Sequence, residues 1–136
     1  MGKPLKLGVK TLVETARREI KEYTAAEATA LAKQPGVLLV DIRDPRELAR
    51  DGKVPGALHA PRGMLEFWID PDSPYFKPVF GEEKTFVFFC AGGLRSALTT
   101  KTLQDMGLTP VAHIEGGFAA WKVAGGPVEE VPKPDK

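Results

Sequence analysis

The chain has 136 residues, 43% hydrophobic and 27% charged, with a formal net charge of +1. That length suits one domain with one good core, and the balanced charge excludes the bulk field that draws a protein to nucleic acid or to a membrane surface. A single cysteine, Cys90, excludes an internal disulfide and fits a reducing compartment. No segment approaches the roughly 20 apolar residues of a membrane span, and the first ten residues lack the pattern of a secretion signal. A cytoplasmic protein is expected, with no nucleic-acid or membrane partner.

Val9, Leu12, Val13, Ala16 and Ile20 recur at spacings of three and four, with Arg17, Arg18 and Lys21 between them. This is the pattern of an amphipathic helix, which must lay its apolar stripe on something. Thr24-Ala-Ala-Glu27 is a capping-box sequence and predicts a second helix over about 25–33. Val37-Leu-Leu-Val40 is an uninterrupted apolar run ending at Asp41, as in a central parallel strand buried on both faces. Asp44-Pro45-Arg46-Glu47 starts a short third helix that stops before Gly52.

A turn at Val54-Pro55-Gly56 and a brief strand over 57–60 follow. Next come a helical stretch over 62–69 and a proline-rich loop over 70–81. The apolar run Thr85–Phe89 predicts a strand, followed by a glycine-rich turn opened by Cys90 and a helix over about 96–106 with Gly107 as its C′ residue. Val111–Ile114 predicts the last strand and Gly117–Val123 a short closing helix. Such alternation implies an α/β domain with a mainly parallel sheet and helices on both faces. Ligands then bind beyond the carboxyl ends of the strands, where Asp41 and Cys90 both fall.

Chemistry concentrates in Cys90-Ala-Gly-Gly-Leu-Arg95-Ser96. The N–H groups of Ala91, Gly92, Gly93, Leu94, Arg95 and Ser96 can converge as an anion cradle, and a following helix adds its positive end. Both favour thiolate over thiol, and the thiolate is the nucleophile. Gly92 and Gly93 allow the positive φ angles of a tight turn, and Arg95 adds a permanent cation. Cysteine-dependent phosphatases use a C-x5-R loop, one residue longer, so C-x4-R makes a tighter ring suited to a single added sulfur atom. His59 and His113 are expected to be structural or surface residues rather than partners of Cys90. One cysteine and two scattered histidines make no metal site, and no cofactor is expected.

Three stretches together make the chain resemble the single-domain rhodaneses of the thiosulfate sulfurtransferase family. They are Val37 to Glu47 with Gly52-Lys-Val-Pro-Gly-Ala57, then Cys90 to Ser96, then Glu115-Gly-Gly-Phe-Ala-Ala-Trp121 with Gly125-Gly-Pro127. The resemblance implies a rhodanese-like fold with a five-stranded, mainly parallel sheet and helices on both faces. It implies a domain over 23–128, leaving an additional N-terminal helical extension over 1–22 and a flexible tail over 129–136. Implied too is sulfur transfer through a Cys90 persulfide, from a small anionic donor such as thiosulfate to a thiol or cyanide.

Asp41 is expected to brace the cysteine loop by accepting its N–H bonds, with Arg43 and Glu47 in local charge pairs. Trp121 should anchor the last helix. Lys53 stands where the family often has histidine, so no role passes to it. The aromatic stretch over 62–81 is longer than a minimal domain needs; it is expected either to wall the cysteine crevice, with Arg62 at the substrate, or to lid the core. The N-terminal helix either packs back on the domain or pairs with a second copy. Two other classes stay open: a non-catalytic interaction or regulatory module, and a phosphatase or arsenate reductase, which the loop length disfavours.

Overall fold

The computed structural model describes residues 2–132. Its five strands are β1 (Lys21–Tyr23), β2 (Val37–Asp41), β3 (Leu58–His59), β4 (Thr85–Phe89) and β5 (Val111–Ile114). They form one all-parallel sheet in the order β1-β5-β4-β2-β3. Six helices accompany it: α1 (Val9–Glu19), α2 (Ala25–Leu31), α3 (Pro45–Asp51), α4 (Leu65–Ile69), α5 (Leu94–Asp105) and α6 (Gly117–Val123). Among the described residues no helix is long and apolar enough to cross a membrane.

Strand alternation divides the core in two. Phe86, Phe88 and Cys90 face one side with Val40, Ile42, Leu65, Ile69, Phe80 and Leu103. Val87 and Phe89 face the other with Ala25, Ala28, Ala112, Ile114, Phe118 and Trp121. The stretch over 62–81 is therefore a lid over the core: Leu65, Ile69 and Phe80 are buried in it, while Phe67 stays exposed. Trp121 is buried, and its indole N–H donates to the Pro127 carbonyl.

Local signals explain the boundaries. Both capping boxes form, Thr24 with Glu27 and Asp44 with Glu47. Helix α5 starts at Leu94, two residues before its expected start at 96, because Gly93 at φ +101° turns the chain directly into it. The first strand, β1, was not expected from the sequence. It pairs with β5 in the register Lys21–Ala112, Glu22–His113 and Tyr23–Ile114, so the sheet begins inside the expected extension over 1–22.

Helix α1 packs back on the domain through Val13 and Ala16 against Ala97 of α5. In the expected tail, Glu129 exchanges two 2.9 Å backbone hydrogen bonds with Lys53; residues 133–136 lie outside the described residues.

Candidate active site

Cys90 follows the end of β4, and the loop after it delivers the chain to α5. The thiol is buried, at 1% exposure. The N–H groups of Gly93 and Ser96 point at its Sγ from 3.1 and 3.4 Å. Among the described residues, the N–H groups of Ala91, Gly92, Leu94 and Arg95 have no protein acceptor. The two amides that bond Sγ can hold negative charge on it.

The loop's carbonyls explain that orientation. Cys90 O accepts from Phe118 N at 2.8 Å, and Ala91 O accepts from Ala119 N at 3.1 Å. With its oxygens tied to the start of α6, the loop turns the N–H groups of Gly93 and Ser96 to the sulfur. The approach depends on Gly117, which sits at φ +59°; a Cβ there would lie 2.4 Å from Cys90 O and 2.8 Å from Ala91 O. The sequence signal was present as a second glycine pair, Gly116-Gly117, after the last strand. Its part in shaping the cysteine loop was not foreseen.

Asp41 differs from expectation, while Arg43 stands in a local charge pair as expected. Asp41 does not accept loop N–H bonds. Its carboxylate takes the backbone N–H and the guanidinium of Arg43, at 2.8–3.2 Å. The two are almost wholly buried, and Arg43 also donates to Gly52 O at 2.9 Å. The guanidinium two residues away takes up the Asp41 oxygens and leaves none for the loop amides. The Arg43 guanidinium carbon lies 4.1 Å from the Phe118 ring centroid, so the pair supports the loop indirectly, through the residue that bonds Cys90 O.

Arg95 is held by Glu47 across two hydrogen bonds, 2.8 and 2.9 Å long. Glu47 does double duty, since the same carboxylate closes the α3 capping box on Asp44 N. The bond from Arg95 holds the Glu47 carboxyl below its ordinary 4.5, against the opposing effect of burial. In turn, Glu47 first and Cys90 to a smaller degree raise the Arg95 guanidinium.

A carboxylate favoured in the folded state contributes fully above its unfolded value and loses that contribution as acid protonates it. Glu47→Gln is therefore expected to lower stability by about 1 kcal/mol near neutral pH, Arg95 being partly exposed. Urea unfolding at several pH values should show the difference shrinking as pH falls below about 4.5. A constant difference would mean the charge pair contributes nothing.

Arg62 is not brought into this cradle. Its guanidinium bonds Glu66 at 2.9 Å, and the residue lines a groove with Leu12 of α1 and with Leu98, Lys101 and Asp105 of α5. Its position one helical turn before Glu66 decides that pairing. His59 bonds the Arg43 carbonyl, a structural role as expected.

His113, expected to be a structural or surface residue, is buried on β5, with its Nδ1 2.8 Å from Ser96 Oγ. Ser96 Oγ in turn lies 3.6 Å from Cys90 Sγ.

Comparison with known proteins gives this geometry a family. Residues 24–124 match the rhodanese-like domain. The chain belongs to the rhodanese-like domain family. A provisionally named sulfurtransferase of Bacillus subtilis is 33% identical over 105 residues, which are 76% of this chain and 92% of that protein. A solved structure of a Rhodopseudomonas palustris protein of unknown function, described as a possible tyrosine phosphatase, is 60% identical with a TM-score of 0.91. The match covers 95% of this rhodanese-like chain and 99% of that one. An Arabidopsis thaliana protein named as a dual specificity phosphatase is 29% identical over 120 residues, covering 82% of this chain and 79% of its own.

Proposed function

We propose that this rhodanese-like protein is a sulfurtransferase that carries sulfane sulfur on Cys90. The observation that carries the reading is the convergence of the Gly93 and Ser96 N–H groups on Cys90 Sγ, with the remaining loop amides free to receive an added atom. In the first half-reaction the Cys90 thiolate attacks the outer sulfur of an anionic donor such as thiosulfate. A sulfur–sulfur bond forms on Cys90, and the donor's own sulfur–sulfur bond breaks with its electron pair leaving on sulfite. In the second half, a thiolate or cyanide attacks the outer sulfur and Cys90 departs as thiolate. The donor amides stabilise charge on the outer sulfur, as an oxyanion hole does for oxygen.

The phosphatase descriptions of two similar proteins make a second reading worth testing. Against it stand the four residues between Cys90 and Arg95 and the engagement of both terminal Arg95 nitrogens by Glu47. A phosphoryl group needs that guanidinium fork for its own oxygens.

Steady-state assays with thiosulfate and cyanide test the proposal. Parallel double-reciprocal lines and a rate abolished in Cys90→Ser are expected, with no Cys90-dependent hydrolysis of an aryl phosphate. Hydrolysis without sulfur transfer would replace this reading by the phosphatase one. A folded protein that does neither would be an interaction module.

A further inference from the structure

A chain of hydrogen bonds runs from Cys90 to the surface through groups that sulfur transfer alone does not require. Cys90 Sγ lies 3.6 Å from Ser96 Oγ, and Ser96 Oγ lies 2.8 Å from His113 Nδ1. His113 Nε2 lies 2.7 Å from Glu22 Oε2, which bonds Arg17 at 2.8 Å. The fold sets these contacts. Glu22 and His113 are register partners on β1 and β5, so their side chains leave the sheet on one face. Helix α5 lays Ser96 on that face, and α1 brings Arg17 across to Glu22.

Cys90, Ser96 and His113 are all at 1% exposure or less, whereas the Arg17 side chain is 45% exposed. Arg17 and Glu22 both precede residue 24, where the match to the family domain begins. Glu22 lies on β1, the edge strand of the sheet, and Arg17 on α1.

Donor and acceptor roles follow from the ends. An ionised carboxylate only accepts, so Glu22 fixes the proton of neutral His113 on Nε2 and leaves Nδ1 as an acceptor. Ser96 then donates its O–H to Nδ1 and offers a lone pair to the Cys90 S–H. We propose that His113 takes up the Cys90 proton through Ser96, held in its accepting tautomer by Glu22 of β1. His113 and Glu22 are positioning residues, since each acts on the sulfur through another group.

In the step itself the Cys90 S–H bond breaks as Ser96 Oγ gains that proton. The Ser96 O–H bond breaks as His113 Nδ1 gains the other. The sulfur keeps the electron pair and nothing is oxidised or reduced. A thiolate results, facing the serine O–H and the loop amides, with an imidazolium between Ser96 and Glu22.

Among the groups facing His113, the Glu22 and Glu115 carboxylates favour the imidazolium, against the larger effect of burial, to which Arg17 adds. The ring therefore waits neutral. Burial would raise the Glu22 carboxyl, but the bonds from Arg17 and His113 outweigh it and keep Glu22 ionised.

The inference rests on Cys90 being the nucleophile of the reading above, but its test needs no sulfur donor, so the two can fail separately. The test is the rate of Cys90 alkylation by iodoacetamide against pH, in wild type, Glu22→Gln and Ser96→Ala. Glu22→Gln keeps the shape and a hydrogen bond to His113 while removing the charge. A bystander carboxylate, once removed, would move the profile to lower pH, because a negative charge has left the thiolate's surroundings. The relay requires the opposite sign: a shift to higher pH, with alkylation on the acid limb slowed about tenfold.

Ser96→Ala should shift the profile the same way, and the double variant should add little, because both act through one chain. An unchanged or downward shift in Glu22→Gln overturns the proposal, even if Ser96→Ala alone moves the profile. Should Ser96→Ala fail to fold, Glu22→Gln, at a partly exposed position, decides alone.

Discussion

Gly117→Ala is expected to disable the cysteine loop although residue 117 touches no substrate. The new Cβ would stand 2.4 Å from Cys90 O and 2.8 Å from Ala91 O, at a φ of +59° that side chains rarely adopt. Something must move, and the nearest atoms are backbone. Either α6 withdraws, losing the Phe118 and Ala119 bonds that hold the loop's carbonyls, or the loop rotates and its N–H groups leave the sulfur. Strain of this kind costs about 1–3 kcal/mol. A misplacement near 1 Å lowers a rate by about 10²-fold. Denaturant unfolding and single-turnover sulfur transfer should show a modest loss of stability beside a much larger loss of transfer. Wild-type transfer in Gly117→Ala would mean that the bonds to α6 do not shape the cradle.

Asp41→Ala is expected to be the most destabilising change at the site. It strands the Arg43 guanidinium, at 1% exposure, with the Gly52 carbonyl and the Phe118 ring as its remaining partners. Removing one member of a buried ion pair costs about 3–5 kcal/mol, a large share of the roughly 5–15 kcal/mol that holds a domain together. Asp41→Asn keeps an acceptor oxygen and should fall between Ala and wild type in a urea unfolding series. An Asp41→Ala protein as stable as wild type would show that water or a shifted carbonyl satisfies Arg43 instead. The order Ala, Asn, wild type also separates support of the fold from direct contact with the loop, because the damage enters as stability before it enters as rate.

What could be read from the sequence was local. Buried strands announce themselves as apolar runs and helix starts as capping boxes, so Val37–Asp41, Thr85–Phe89 and the helices after Thr24 and Asp44 stand where their residues predict. The Cys90 loop was equally legible, since its glycines, cysteine and arginine act within seven residues of chain.

Long-range pairing was not legible. Lys21-Glu22-Tyr23 has no apolar run, and it is a strand only because β5, some 90 residues later, offers an open edge. Ser96 stands at the expected start of a helix in sequence. Its hydroxyl instead bridges Cys90 and His113, because Gly93 already starts the helix. His113 looked inert for the same reason: its partners, Glu22 and Ser96, are distant in sequence and meet only across the sheet. Proximity alone points Asp41 at the loop, whereas a guanidinium two residues away claims its oxygens.

Intact-mass spectrometry of the reduced protein after incubation with thiosulfate and desalting tests the central claim most directly. The expected result is a gain of one sulfur atom, mapped to Cys90, removed by cyanide with release of thiocyanate and absent in Cys90→Ser. A folded wild-type protein that gains no sulfur from thiosulfate or other sulfane donors, or a Cys90→Ser protein that gains it equally, would contradict the account.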